Sequence, residues 1–522
     1  MGQVMTPGPL ADLILDAVGY SGDAVLKGRI MEPSFGQGVF LIRILERILR
    51  RAREAGLEDG EAADVIRRNV FGIEKDEEFF RAAKKTVDGF LLENGIAAGV
   101  LDGNLVLGDA LDECGRFSET MDFVVGNPPY VRIHNLDSET RRKVKALRFS
   151  DGMTDLYAAF YEIGLGMLRK NGRLAYVSPN SFLRNVSQRK LRGFAVENGL
   201  LSKVYDFRSS GAFPEVGTYA CVCVLDRNSD REDSFVLYRE YSGYDVLSEE
   251  RIPQEFLHPD GSPWLFGSSE DMRRLSENEK RKTKLRDVVS VRNGVSTNRD
   301  SVYVVEPYSD EGLSIRCSDP LPETAFFRDA RGEVRRIETG ILRKCVKASR
   351  CDGTYGFSYM IFPYENEADG VSVRPAAEAE LSGKYPLAYA YLESFKEELL
   401  SRDMEKGASW FLFARSQGLS GVRKRKVVFR HVLDRKNPSA RPSIAEKDCV
   451  VYSGLYAAPN DPDRVSCEEI ADLLSADDFA RYCAAAGKDM ANGYVCVTSK
   501  TANGYGLPPE FAEEPPVPNT KD

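Results

Sequence analysis

The sequence predicts an α/β fold: an open, mostly parallel sheet of seven strands flanked by helices, followed by a second, mixed α+β domain. Three observations predict it. Short apolar runs alternate with longer stretches whose apolar residues recur at helical spacing, as in βαβ units. Four successive short strands end in a polar side chain, at Glu32, Glu74, Asp109 and Asn127, where an open parallel sheet takes its ligands. From about residue 286 the texture changes to strand-like runs between irregular polar loops.

Residues 8–18 carry Leu10, Leu13, Ile14 and Val18 at helical spacing, with Thr6 placed as N-cap and Gly19 as terminator. Arg29 to Phe40 reads as strand, glycine turn and helix start, and the helical pattern runs from Leu41 to Arg53. A helix over 61–68 leads to the strand Val70–Glu74, and a helix over 76–93 leads to the strand Leu105–Asp109. Phe123–Val125 is the fourth strand. Residues 155–170 form an amphipathic helix closed by Asn171-Gly172, and Arg173–Pro179 is the fifth strand. A basic helix over 187–197 precedes two more strands, 201–206 and 218–225, whose connecting loop carries Phe213. Another strand is expected over 235–242. The charged stretch 268–285 marks the domain boundary. Beyond it, strands are expected at 301–305, 426–430 and 449–452, and a helix near 385–401. The Pro- and acid-rich residues 505–522 are expected to be a disordered tail.

The fourth strand ends in Gly126-Asn127-Pro128-Pro129-Tyr130. Two prolines fix two φ angles and remove two donors. Pro128 offers only a carbonyl, and Asn127 adds a side-chain amide. A stiff corner with two acceptors and a ring suits an exocyclic –NH2 on a flat heterocycle. The same residues also suit a plain proline turn after a core strand. Glycine turns at helix N-termini admit ligands because free N–H groups point outward. Glu32, beside the Gly36 and Gly38 turn, favours a cationic ligand group over a pyrophosphate. Glu74 ends its strand where a carboxylate can accept ribose hydroxyls. Its spacing from Gly36 is nearly twice the ~20 residues of a nicotinamide dinucleotide fold.

The 522 residues are 42% hydrophobic and 29% charged, with a net charge of −9. No apolar run approaches the roughly 20 residues of a membrane span, and no secretory signal opens the chain, so a cytoplasmic protein is expected. Ten cysteines without a CxxC pair, and three separated histidines, argue against a zinc site. The net charge argues against indiscriminate nucleic-acid binding but leaves room for local basic clusters. The densest is Arg423-Lys424-Arg425-Lys426, a candidate for phosphate contacts or a solvated surface run.

In this order, Met31-Glu32-Pro33-Ser34-Phe35-Gly36-Gln37-Gly38 resembles the cofactor motif of S-adenosylmethionine-dependent DNA methyltransferases, and Asn127-Pro128-Pro129-Tyr130 the catalytic motif of those acting on adenine N6. Cofactor half, catalytic half, then a long trailing domain resembles the gamma class with a TaqI-like specificity domain. The resemblance implies a Rossmann-like methyltransferase fold over 1–270 and a DNA target-recognition domain over 286–504. It implies methyl transfer from S-adenosyl-L-methionine to the N6 of a flipped-out adenine in double-stranded DNA. Thr6 would close over the methionine moiety, Glu32 lie by its amino group, Glu74 bind the ribose, and Asp109 the cofactor adenine. Pro33, Ser34, Phe35, Gly36, Gly38, Ala110 and Asn127 complete the cofactor set. Asn127, Pro128, Tyr130 and Phe213 form the catalytic set. The family often has a small residue at Phe35 and an aromatic at Ala110, so Phe35 or another ring would have to stack on the cofactor adenine. The stretch Val291 to Asn298 resembles the opening of the specificity domain. A fused nuclease is not expected; a separate restriction endonuclease is the partner such enzymes can have. The alternatives are methylation of RNA or a protein glutamine by the same corner, and a catalytically idle DNA-recognition subunit. The intact set Glu32, Gly36, Gly38, Glu74, Asp109 and Asn127 argues against the last.

Overall fold

Strands that read as unbroken apolar runs are buried on both faces, which needs helices above and below a parallel sheet. The computed structural model has that arrangement; it describes residues 6–208, 220–228, 235–309, 312, 314–315, 321–350, 358–490 and 493–509. The chain divides into two units, residues 1–272 and 273–522.

In the first unit, α1 (Gly8–Ala17), α2 (Ala24–Lys27), β1 (Ile30–Glu32), α3 (Val39–Glu54), α4 (Asp59–Asn69), β2 (Val70–Glu74), α5 (Glu77–Glu93), β3 (Leu105–Leu107), α6 (Ala110–Glu113) and β4 (Met121–Gly126) follow in order. Next come α7 (Ser138–Ala146), α8 (Leu156–Met167), β5 (Leu168–Pro179), α9 (Arg189–Glu197), β6 (Leu201–Arg208), β7 (Ala220–Asp226), β8 (Phe235–Ser242) and β9 (Asp245–Pro253). The strands form one nine-stranded sheet, ordered β3-β2-β1-β4-β5-β7-β6-β8-β9. The seven expected strands are its first seven positions. β7 runs antiparallel to both neighbours, and β8 and β9 extend the far edge. From β1 the chain steps outward to β2 and β3, then returns to place β4 on the other side of β1. That reversal opens a crevice at the carboxyl ends of β1 and β4, where Glu32 and Gly126 stand.

Helix α3 shows why this side folds. Phe40, Leu41, Ile44, Leu45, Ile48 and Leu49 recur at helical spacing and are buried in the main core. Its buried Arg47 reaches Asp12 and Asp16 across to α1.

Several expectations are corrected. Pro7, not Thr6, stands at the N-cap of α1, which has no side-chain cap bond; the Thr6 hydroxyl is turned to Asn127 instead. Helix α8 stops at Met167, and Leu168 already pairs with Met121. Pairing then shifts and resumes at Arg173, with Asn171 at φ +67° in the intervening segment.

In the second unit, beside two two-stranded sheets and a three-stranded one, the two largest sheets described have four strands each. Val289–Asn293, Leu455–Pro459, Lys426–Phe429 and Ser443–Ala445 form one; Val304–Val305, Ser358–Ile361, Leu342–Lys347 and Val450–Tyr452 form the other. Asp300–Tyr303 is a helical turn rather than strand. The helix expected over 385–401 is two, Pro386–Ser394 and Lys396–Leu400. The start of the expected tail is core: Tyr505 and Leu507 are buried, and the Leu285 N–H donates to the Tyr505 carbonyl at 2.7 Å. Two aromatic and aliphatic anchors outweigh the polar composition of the stretch around them. Residues 510–522 lie outside the described residues.

The basic cluster is also corrected. Arg423 pairs with Asp448, and Arg425 with both Glu446 and Glu468. Lys426 is buried, donates to the Gly421, Val422 and Lys424 carbonyls, and has its pKa pushed down to about 8 by burial. Three of the four charges already have partners, so they are poorly placed to hold phosphates. Among the described residues, no helix is long and apolar enough to cross a membrane, and no cluster of His, Cys, Asp and Glu could hold a metal ion.

Candidate active site at the carboxyl edge of the sheet

Two adjoining clefts open where β1 to β4 end. The first encloses about 500 Å³ of open space and is lined by Thr6, Glu32, Ser34, Phe35, Gly36 and Asn127, with Gln37, Val39, Phe40 and Phe79. The second encloses about 1420 Å³; Pro33, Ser34, Glu74, Asp109, Ala110 and Pro129 are among its walls. Ser34 and Phe79 line both. Two motifs more than ninety residues apart in sequence therefore face one space.

The strand ends set each carboxylate differently. Glu32 is 2% exposed, and its Oε2 has no hydrogen-bond partner among the described residues. Burial first, and then the negative charge of Glu74, holds its pKa well above the ordinary carboxylate range. Glu74 is bound on both oxygens: the Gly36 N–H donates to Oε2 at 2.7 Å and the Asp76 N–H to Oε1 at 2.9 Å. An ionised carboxylate has about four acceptor positions, so each oxygen keeps one for a ligand hydroxyl. These bonds also fix the glycine turn, where Gly36 has φ +52° and Gly38, the N-cap of α3, has φ +84°.

Asp109 accepts from the Leu111 N–H through Oδ1, while Lys75 and Lys143 approach its Oδ2 at 3.1 and 3.5 Å. Burial pushes this carboxyl up, but the N–H and the lysines outweigh it and hold the pKa below its usual value. Neither lysine follows from the sequence pattern, because Lys143 comes from α7 and Lys75 from the residue after β2, and both pairings depend on how those elements meet the end of β3.

The Asn-Pro-Pro-Tyr corner is held from two sides. Asn127 Nδ2 donates to Thr6 Oγ1 at 3.2 Å, and the Ser34 hydroxyl donates to the Asn127 carbonyl at 3.4 Å. Gly126 has φ +155°, an angle that side-chain-bearing residues rarely adopt. Pro128 is buried. Tyr130 packs edge-on against Tyr157 with centroids 6.2 Å apart. Its hydroxyl is buried without a partner among the described residues, and burial raises its pKa well above normal.

Not every expected residue meets the site in the expected way. Gly38, Pro128 and Tyr130 line neither cleft. The Phe35 ring is 3% exposed, packs on Phe80, and closes over Gly72, where any Cβ would meet it at 2.7 Å. The ring that faces both clefts is Phe79, on the first turn of α5. Its signal was present: Asp76 caps that helix through the Glu78 and Phe79 N–H groups, setting Phe79 over the end of β2. Phe213 lies outside the described residues.

Comparisons with known proteins bear on the fold and the family. Residues 53–213 match the family model described as Eco57I restriction-modification methylase. The Type II methyltransferase M.BstVI of Geobacillus stearothermophilus is 28% identical over 59% of this chain and 60% of its own length. M.XhoI of Xanthomonas vasicola is 28% identical over 63% of this chain and 64% of its own. The chain thus spans less than two thirds of these relatives. In fold, the Type IIL restriction-modification enzyme MmeI, solved in complex with DNA, matches 91% of this chain and 61% of its own at a TM-score of 0.54 and 15% identity. By its motif order, its Rossmann-like sheet and these matches, the chain is similar to restriction-modification DNA methyltransferases, with the family model covering residues 53–213.

Proposed function

We propose that the protein binds S-adenosyl-L-methionine in the two clefts and methylates the N6 of an adenine extruded from double-stranded DNA. The observation that carries this reading is the first cleft, where Asn127 stands with a buried acid whose Oε2 has no partner among the described residues, and the described lining residues include no basic side chain. Such a wall offers a phosphate no cation and suits a cationic amino group. Glu32 would hold the amino group of the methionine moiety, Glu74 the ribose hydroxyls, and Asp109 the adenine, with Phe79 against its ring. When bound, the cofactor supplies an electrophilic methyl group.

The chain's own part is positioning. The lone pair of an adenine amino group is delocalised into the ring, which makes the nitrogen a weak nucleophile. The Asn127 side-chain oxygen and the Pro128 carbonyl would accept its two hydrogens, holding the nitrogen in line and favouring a more pyramidal geometry. No His or Cys is needed for that. Asn127 Nδ2 donates to Thr6 Oγ1, which turns the amide oxygen to the other side of the group. Thr6→Val should lower kcat about tenfold while cofactor affinity changes less, and Thr6→Ser should restore it. Equal losses in the two variants, in single-turnover assays, would discard the orientation argument.

Tyr130 would stack on the extruded base, offsetting part of its unstacking cost. Tyr130→Phe should behave almost as wild type, since its hydroxyl has no partner among the described residues. Tyr130→Ala should weaken base capture by roughly 1–3 kcal/mol. A severe defect in Tyr130→Phe would mean that the hydroxyl, not the ring, does the work.

The second unit would read the DNA sequence. Tritiated methyl transfer offered separately to duplex DNA, RNA and protein tests the reading as a whole, and transfer to RNA or protein alone would replace it.

A further inference from the structure

Two loops beside the Asn-Pro-Pro-Tyr corner lift apolar side chains into solvent. Met153 is 54% exposed and Val186 65% exposed. Isolated exposed apolar residues are ordinary; here the scaffold beneath them is what differs. The loop 147–155, which joins α7 to α8, is pinned at both ends. The Arg148 and Phe149 N–H groups donate to the two oxygens of Glu162, each at 2.8 Å. At its far end the Leu156 N–H donates to the Val131 carbonyl at 3.0 Å, one residue past Tyr130. Asp155 accepts from the Ile133 N–H at 3.2 Å.

The second loop follows β5. Arg192 is 1% exposed and spends its guanidinium on four carbonyls, two of them, Phe182 and Asn185, within this loop. The loops touch: the buried Thr154 hydroxyl donates to the Ser187 carbonyl at 3.5 Å and accepts from the Asp151 N–H at 3.0 Å. Met153 and Val186 are the sequence neighbours of that contact. Loops pinned this way cannot fold their apolar tips inward, so the exposure is imposed by the fold.

Exposed cations stand near the tips. Arg189 and Lys190 begin α9, and Arg148 lies over the rings of Phe149 and Phe194. Lys190 donates to the Ser150 carbonyl at 2.8 Å and keeps only a loose approach, 4.0 Å, to Asp151. An apolar tip with a cationic flank on a fixed base matches the chemistry of a nucleic-acid base stack bordered by phosphates.

We propose that Met153 and Val186 form an apolar wedge that enters the base stack of duplex DNA at the position an extruded base vacates. The inference rests on the DNA-methylation reading above. Removing a base from the stack exposes its neighbours and costs a few kcal/mol; apolar side chains inserted between base steps cover them. The wedge lowers the cost of extrusion without touching the reacting nitrogen.

The test uses full-length enzyme and an oligonucleotide duplex carrying the methylated site, once mapped. One version is fully paired and the other has the target adenine opposite an abasic position, where extrusion is already cheap. The Met153→Ala/Val186→Ala double variant should lose about tenfold or more in kcat/KM on the paired duplex, and stay within about twofold of wild type on the abasic one. Calorimetric cofactor affinity should be unchanged. With 2-aminopurine at the target position, the fluorescence rise on binding should shrink in the variant only on the paired duplex. Equal losses on both duplexes, or none on either, would overturn the wedge. Absence of methyl transfer to any DNA by the wild-type enzyme would instead bring down the reading on which it rests, and the wedge with it.

Discussion

Asn127→Ala should abolish detectable methyl transfer while leaving cofactor binding close to wild type. The amide oxygen is one of two acceptors assigned to the target amino group, and its loss removes both an orienting bond and the electrostatic bias on the nitrogen. Single preorganised groups of this kind are worth about 10²–10³ in rate. Asn127 is half-buried at the edge of the first cleft, while the carboxylates assigned to the cofactor sit on other strands. Calorimetry should therefore report a cofactor affinity within a few fold. Retained transfer in Asn127→Ala would end the paired-acceptor account. Lost transfer together with lost cofactor affinity would place Asn127 in cofactor binding alone.

The second large effect concerns protons. Burial and the charge of Glu74 keep the Glu32 carboxyl protonated well above its ordinary value of 4.5. In the ligand-free protein the folded state therefore binds a proton that the unfolded chain has released. Stability conferred by the remaining contacts falls as pH rises from the unfolded value toward the folded one. Glu32→Gln should remove that slope and make the ligand-free protein more stable at neutral pH. Cofactor binding should act in the opposite sense: an ammonium group beside Glu32 favours the carboxylate and expels the proton. Affinity should rise with pH until Glu32 ionises in the free protein. Titrations in two buffers of different ionisation enthalpy should show wild type releasing more protons on binding than Glu32→Gln, the difference shrinking as pH rises. A binding enthalpy independent of buffer from mildly acidic to mildly alkaline pH would contradict the assignment of Glu32 to a cation.

Much of this site was legible because its signals are local. A strand end followed by glycines or prolines reads directly, and Glu32, Glu74, Asp109 and Asn127 all stand at the carboxyl edge of one sheet. What stayed hidden depends on tertiary placement. The pairing of Asp109 with Lys143 of α7, and with Lys75 just after β2, depends on how those elements pack, and no spacing rule supplies that. Phe35 looked like a cofactor ring from its motif position; it lines the first cleft, yet the space left at Gly72 lets most of the ring pack into the core. The basic run 423–426 looked like a phosphate site because its partners, Asp448, Glu446 and Glu468, lie on later segments. Thr6 looked like a helix cap because caps are recognised by position; the proline after it took that place and left the hydroxyl for Asn127.

The most direct measurement of the central claim is modification-sensitive sequencing of genomic DNA from cells with and without this protein, with Asn127→Ala as control. The account predicts N6-methyladenine at one defined sequence, present only with the wild-type protein. Methylation on cytosine, or an adenine pattern unchanged by the protein or kept by the variant, would contradict it.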